Sequence, residues 1–162
     1  MRTRPFLLAA GLLTSTLALA APSAHAAGTA APYDFDGDGY RDLAIGAPGA
    51  TVGGKAKAGA VTVVHGGATG PGTARHELLT QNTTGVPDSA ESGDRFGARV
   101  LLSDTTKDGR ADLSVGGTGE NGGDGALWWL KSATTSGAKS FGPAKFGIAT
   151  TGTPAFGAPL RG

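Results

Sequence analysis

The sequence predicts an all-β chain made of a repeated unit of short antiparallel strands, with ion-binding loops between strands. Three observations carry this. Glycine is abundant, 29 of 162 residues, and has no three-residue period, so it separates short apolar runs and does not build collagen. An acidic loop, Asp34-Phe35-Asp36-Gly37-Asp38-Gly39-Tyr40-Arg41-Asp42-Leu43, returns 70 residues later as Asp104-Thr105-Thr106-Lys107-Asp108-Gly109-Arg110-Ala111-Asp112-Leu113. Two strand-like runs follow each loop, over 43–46 and 59–64 in one case and over 113–116 and 125–130 in the other. Agreement in order, spacing and residue type marks an internal repeat.

Taken in order, residues 1–26 read as a secretory leader. Arg2 and Arg4 give a basic start, 6–21 is an apolar run rich in Leu and Ala, and Ala24-His25-Ala26 fits a small-residue cleavage site. The run is short for a bilayer span and has no basic stop-transfer flank. The expectation is secretion, cleavage after Ala26 and no membrane insertion thereafter. Removing Arg2 and Arg4 from 14 basic residues leaves 12 against 13 acidic ones, a net charge of −1. With no basic run, a nucleic-acid partner and electrostatic membrane binding are not expected. The absence of cysteine excludes disulfide staples, thiolate nucleophiles and Cys-based zinc or iron–sulfur sites.

The first loop carries carboxylates at positions 1, 3, 5 and 9 and glycine at position 6. Hard cations such as Ca²⁺ take six to eight oxygens, and alternate residues of a tight loop can supply them. Asp34, Asp36 and Asp38 aim at one centre, and Tyr40 offers its backbone carbonyl. Left without a cation, carboxylates this close repel one another. An EF-hand would place Glu at position 12 between two helices. Ile45 stands there instead, Asp42 replaces the missing acid, and 43–46 reads as a short buried strand. The loop therefore joins two strands.

The first unit runs over 27–82 and a surface connection over 83–95. The second unit runs over 96–150, with strands near 96–102, 112–116, 125–131 and 144–149. A third begins over 151–162, because Phe156-Gly157-Ala158-Pro159-Leu160 repeats the opening Phe96-Gly97-Ala98-Arg99-Val100-Leu101. The first unit lacks its Phe-Gly strand.

The Phe-Gly openings, the acidic loops and Asp42-Leu43-Ala44-Ile45-Gly46-Ala47-Pro48 together resemble FG-GAP repeats. These form the blades of the β-propeller in integrin α-chains and in secreted bacterial integrin-like proteins. The resemblance covers about 34–160 and implies a partial β-propeller of four-stranded antiparallel blades with Ca-binding hairpin loops. It places Asp34, Asp36, Asp38 and Asp42 at side-chain ligand positions and Tyr40 at the backbone-carbonyl position. In the second loop Asp104, Asp108 and Asp112 match, and Arg110 takes the backbone-carbonyl place. Thr106 stands where an Asp or Asn is expected. A neutral hydroxyl beside Lys107 and Arg110 predicts weaker Ca²⁺ binding there, because ligand charge tunes affinity. Gly116-Gly117-Thr118 also departs from Gly-Ala-Pro. Family propellers commonly close with seven blades, so further blades or self-association of copies are expected.

Enzyme signatures are absent: there is no Gly-x-Ser-x-Gly elbow, no His-Glu-x-x-His and no phosphate loop. His65 and His76 read as strand-end or surface histidines. Trp128 and Trp129, adjacent in a strand, should point to opposite faces, one wedged between blades. Phe96, Phe141, Phe146 and Phe156 are expected to pack between sheets. Gly93-Asp94-Arg95 reads as a polar turn, residues 121–125 as a hairpin turn, and Asn82-Thr83-Thr84 fits a sugar-acceptor pattern. Two functions are consistent with this. One is a non-enzymatic, secreted calcium-binding module for adhesion or structure, with an extracellular protein or carbohydrate ligand. The other is an accessory repeat region of a secreted hydrolase of phospholipase or esterase type.

Overall fold

The computed structural model describes residues 32–160; the leader expected over 1–26 lies outside them. Two antiparallel sheets make up the fold. Strands β1 (Leu43–Ala47), β2 (Ala60–Val64) and β3 (His76–Leu79) form the first, in the order β1-β2-β3. The second has the order β4-β5-β6-β7, from β4 (Phe96–Ser103), β5 (Asp112–Gly117), β6 (Ala126–Leu130) and β7 (Lys139–Phe141). A single helical turn, α1 (Glu120–Gly123), lies between β5 and β6. Each acidic loop leads into the strand that opens the paired runs, β1 or β5.

Side-chain alternation decides which face of each strand is buried. Val61 and Val63 of β2 and Leu79 of β3 meet Phe96, Leu102, Leu113, Val115, Trp128 and Leu130 of the second sheet in one apolar cluster. Phe96 and Trp128 pack edge to face, with ring centroids 5.2 Å apart. Trp128 is fully buried and its indole N–H donates to the Pro87 carbonyl at 3.0 Å. Trp129 points the other way, with Lys139 over its ring. The opposite-face reading of this pair holds.

The two sheets meet at a joint that the chain then repeats. Phe96 N–H donates to the Ala58 carbonyl at 2.8 Å, and Gly59 and Phe96 form a parallel bridge. Sixty residues on, Phe156 N–H donates to the Asp124 carbonyl at 2.8 Å and pairs with Gly125 in the same way. A Cβ on Gly46 would overlap the Gly97 carbonyl, and one on Gly116 the Gly157 carbonyl. Gly97 and Gly157 hold φ of 86° and 88°, a region that L side chains rarely enter. The Phe-Gly opening is thus a splice onto the preceding sheet, where two backbones touch without side chains between them.

Several expectations need correction. The last strand lies at Lys139–Phe141 and not over 144–149. Pro143 has no N–H for a ladder and its fixed φ suits a helix start, so Pro143–Phe146 forms a 3₁₀ turn. Phe146, expected between sheets, is 59 % exposed and stacks on Phe156. The strand after the first loop is not buried throughout: Leu43 and Ile45 are half exposed, because only the alternate residues face the second sheet. The connection over 83–95 is not merely a surface strap, since Val86, Ala90 and Asp94 are buried. Asn121, Gly122, Gly123 and Gly125 do take positive φ, the first three of them within α1.

A candidate metal centre at the first acidic loop

The first loop folds around its own carboxylates. Gly37 and Gly39 take φ of 82° and 91°, which lets their N–H groups turn inward. Asp34 accepts from Gly37 N–H at 2.7 Å through Oδ1 and from Gly39 N–H at 2.9 Å through Oδ2. Asp36 Oδ1 accepts from Asp38 N–H, and Asp38 Oδ1 from Tyr40 N–H. Asp42 ties the loop to the sheet: Oδ2 accepts from Phe35 N–H at 2.7 Å and Oδ1 from Gly66 N–H at 2.8 Å. Asp34 and Asp42 are buried, and Asp38 is exposed.

This geometry brings Asp34, Asp36 and Asp38 together, with one oxygen from each lying within 4.8 Å of the others. Asp42 belongs to a second group with Asp36 and His65. Hard carboxylate oxygens converging in a glycine turn fit the chemistry of Ca²⁺. Asp34, Asp36 and Asp38 can hold such an ion, with Asp42 fixing the loop behind them.

Two residues that sequence reading passed over complete the site. Arg75 donates from Nη2 to Asp36 Oδ2 at 2.6 Å and from Nη1 to Asp38 Oδ2 at 2.8 Å. Its hydrogen bond, followed by that of Tyr40 N–H, holds the Asp38 carboxyl below its ordinary pKa. His65, expected at a strand end or the surface, does follow β2 but is buried, 7 % exposed. Its Nδ1 lies 3.4 Å from Asp36 Oδ2 and 3.6 Å from Asp42 Oδ2, and its Nε2 lies 3.1 Å from Glu77 Oε1. Strand register was the available signal. Leu43 pairs with Val64 and Val64 with His76. Asp42, His65 and Arg75 therefore come side by side at one end of the sheet.

The second loop copies the frame but not the convergence. Asp112 Oδ2 accepts from Thr105 N–H at 3.0 Å, and Oδ1 from Ser132 N–H at 3.2 Å. Asp104 accepts from Asp108 and Gly109 N–H, and Asp108 from Arg110 N–H. Lys131 Nζ sits 3.1 Å from Asp108 Oδ2, and its hydrogen bond lowers the Asp108 pKa. Thr106 donates its N–H to Asp112 at 3.1 Å. Among the described residues, the two groups of three metal-capable side chains both draw on the first loop, one of them with His65, and neither uses the second.

Comparison with known proteins agrees with this organisation. Residues 26–64, which hold the first acidic loop and strands β1 and β2, match the FG-GAP repeat. The chain is 31 % identical over 103 residues to the phosphatidylinositol-glycan-specific phospholipase D of Rattus norvegicus, covering 64 % of this chain and 12 % of that protein. It is 36 % identical over 84 residues to the protein of that name from Bos taurus, covering 51 % of this chain and 10 % of the relative. The chain thus spans about a tenth of the length of these relatives.

Proposed function

We infer from the FG-GAP repeat at residues 26–64 that this chain is a secreted, calcium-stabilised segment of a β-propeller, serving as a binding or structural module and not as a catalyst. The convergence of Asp34, Asp36 and Asp38 on one point of the first loop carries the reading. A bound Ca²⁺ supplies positive charge to that cluster and performs no chemistry. The chain's own residues do the rest. Asp42 locks the loop onto Gly66, the glycine N–H groups orient Asp34, and the hairpin keeps its register. Binding energy then becomes folding energy.

The repeated splice supports the propeller. Phe156-Gly157 seats on the second sheet as Phe96-Gly97 seats on the first, so successive blades add by one rule. The second loop, with Lys131 on Asp108 and Thr106 in a ligand position, binds Ca²⁺ more weakly than the first. Recognition of an extracellular protein or carbohydrate falls to the surface loops, which are free to vary on a rigid sheet scaffold. Extracellular placement accords with the leader-like segment. Among the described residues no helix is long and apolar enough to cross a membrane.

A second reading has one observation in its favour, the likeness to proteins named phospholipase D. In it these repeats accompany a hydrolase domain and position it. Sequence of the gene beyond Gly162 separates the two, since further blades favour the first reading and a catalytic motif the second.

The deciding experiment is a calcium titration of the purified chain, started in chelator, with magnesium as control. Far-UV circular dichroism and Trp fluorescence should show a calcium-specific gain of β signal and a shift at Trp128. Equal spectra with and without Ca²⁺ would overturn the reading.

A further inference from the structure

We propose a second metal mode at this loop, in which His65 Nδ1, Asp36 Oδ2 and Asp42 Oδ2 bind a divalent transition-type ion, Zn²⁺ in the first instance. The inference goes beyond the calcium reading. It shares Asp36 with it, but it rests on a nitrogen donor that calcium does not require.

The observation that points to a ligand is the imidazole itself. His65 is more than nine-tenths buried and its Nδ1 has no hydrogen-bond partner. Carboxylate oxygens accept, so Glu77 is a ready acceptor for the ring's Nε2–H across the 3.1 Å contact. Nδ1 is the ring atom left facing the two carboxylates. Arg75 reaches Asp36 Oδ2 and Phe35 N–H reaches Asp42 Oδ2, but Nδ1 itself has no hydrogen-bond partner. The 3.4 and 3.6 Å separations exceed the usual N–H···O range of about 2.7–3.2 Å. The same separations suit a metal. Ligands about 2.0–2.2 Å from one tetrahedral zinc lie about 3.4 Å apart.

The surroundings agree with this assignment. Metal-ligating histidines commonly give their other N–H to a carboxylate, which fixes the tautomer and raises ligand basicity; Glu77 stands in that position. Asp42 is held on its far side by Gly66 N–H, so its orientation is set before any ion arrives. A mixed nitrogen and oxygen set favours zinc-like ions over calcium, whose ligands are oxygens. Arg75 now holds Asp36 Oδ2, so a bound ion displaces Nη2 and leaves Nη1 on Asp38. The second repeat has lost the arrangement. Lys131 follows β6 as His65 follows β2, and it brings a fixed positive charge in place of a donor. In the first repeat Arg75 already provides that charge, which leaves His65 free for ligation.

Sharing Asp36 makes the two modes competitive, so Zn²⁺ and Ca²⁺ should displace one another from the first loop. The test is a zinc titration of the full chain against a chromophoric chelator, with Co²⁺ absorbance as a check on coordination. Calcium binding is measured separately on the same samples. His65→Gln should lose zinc affinity by more than about tenfold and Glu77→Gln by about tenfold. His76→Gln, at an exposed site, should match the unmodified chain in both zinc and calcium affinity. Zinc binding that survives His65→Gln overturns the proposal. Nitrogen-15 NMR of the unmodified protein avoids any folding defect of the variants. Zinc should shift the His65 Nδ1 resonance while Nε2 remains the protonated nitrogen, and an unmoved Nδ1 overturns the proposal. Flat calcium titrations beside His65-dependent zinc binding would defeat the calcium reading alone.

Discussion

Arg75 and Asp36 meet at 2.6 Å across 39 residues of chain, so an organic cation already occupies the oxygens a metal would use. A calcium ion at this loop would compete with this guanidinium, which also holds Asp38. Arg75→Gln should therefore raise calcium affinity, by about two- to fivefold for a solvent-screened pair. Calorimetry at fixed ionic strength reads this directly. Unchanged or weaker binding would mean that Arg75 props the loop open and does not compete. Higher salt should narrow the difference between variant and parent, since screening weakens the ion pair that is removed.

The two loops should respond unequally to loss of one carboxylate. Asp36 belongs to both groups of converging side chains, whereas Asp108 is tied to Lys131. Asp36→Asn should abolish the tighter calcium event, and Asp108→Asn should leave it in place. The readout is the calcium dependence of thermal unfolding. If Asp108→Asn removes the tighter event, the ranking of the loops is reversed.

Much of this arrangement was legible because the loops and strands are local features. The spacing from Asp34 to Asp42 sets which groups face inward, and the short apolar runs in 59–64 and 125–130 mark β2 and β6. His65 and Arg75 were not legible as site residues, because neither sits in the motif. They reach it only through the pairing of Leu43 with Val64 and Val64 with His76. A register drawn outward from Asp42 would have placed both. The last strand was misplaced for a different reason. Phe146 and Ile148 look like a strand by composition, but Pro143 interrupts the ladder and both side chains end up exposed. Exposed Leu43, Ile45 and Leu78 show the limit of reading burial from hydrophobicity, since a strand buries only the face that another sheet covers.

The splice between sheets should tolerate no added carbon. Gly46→Ala puts a methyl into the Gly97 carbonyl and should destabilise the chain by about 1–3 kcal/mol, the cost of overpacking. Gly116→Ala makes the corresponding overlap with Gly157. Gly49→Ala is the control, because a Cβ there meets nothing within 4 Å. Urea unfolding of the three variants tests this. Equal midpoints for Gly46→Ala and Gly49→Ala would show that the joint can open at little cost. A strong effect at Gly46 with none at Gly116 would place the stabilising splice between the two sheets alone.

Glu120 supplies a pH dependence that is independent of any metal. Burial, followed by the nearby Asp94 and Asp88, pushes its carboxyl from 4.5 up to about 7, against the opposing hydrogen bond from Gln81 Nε2 at 2.8 Å. The folded chain therefore keeps this proton over a range where the unfolded chain releases it. Below about pH 4.5 both states are protonated and the group costs nothing. As pH rises from there to about 7 the unfolded state gains, so stability falls, and the loss persists above that window. Glu120→Gln removes the titration and keeps an acceptor for Gln81. Near pH 4 the variant and parent should unfold at similar urea concentrations. At pH 8 the variant should be more stable by about 2–3 kcal/mol. Contributions from the other carboxylates are common to both chains and cancel in the difference. A gap that does not change between pH 4 and pH 8 would mean that Glu120 is ionised in the folded chain as readily as in the unfolded one. The pair with Gln81 would then be an ordinary hydrogen bond to a charged group.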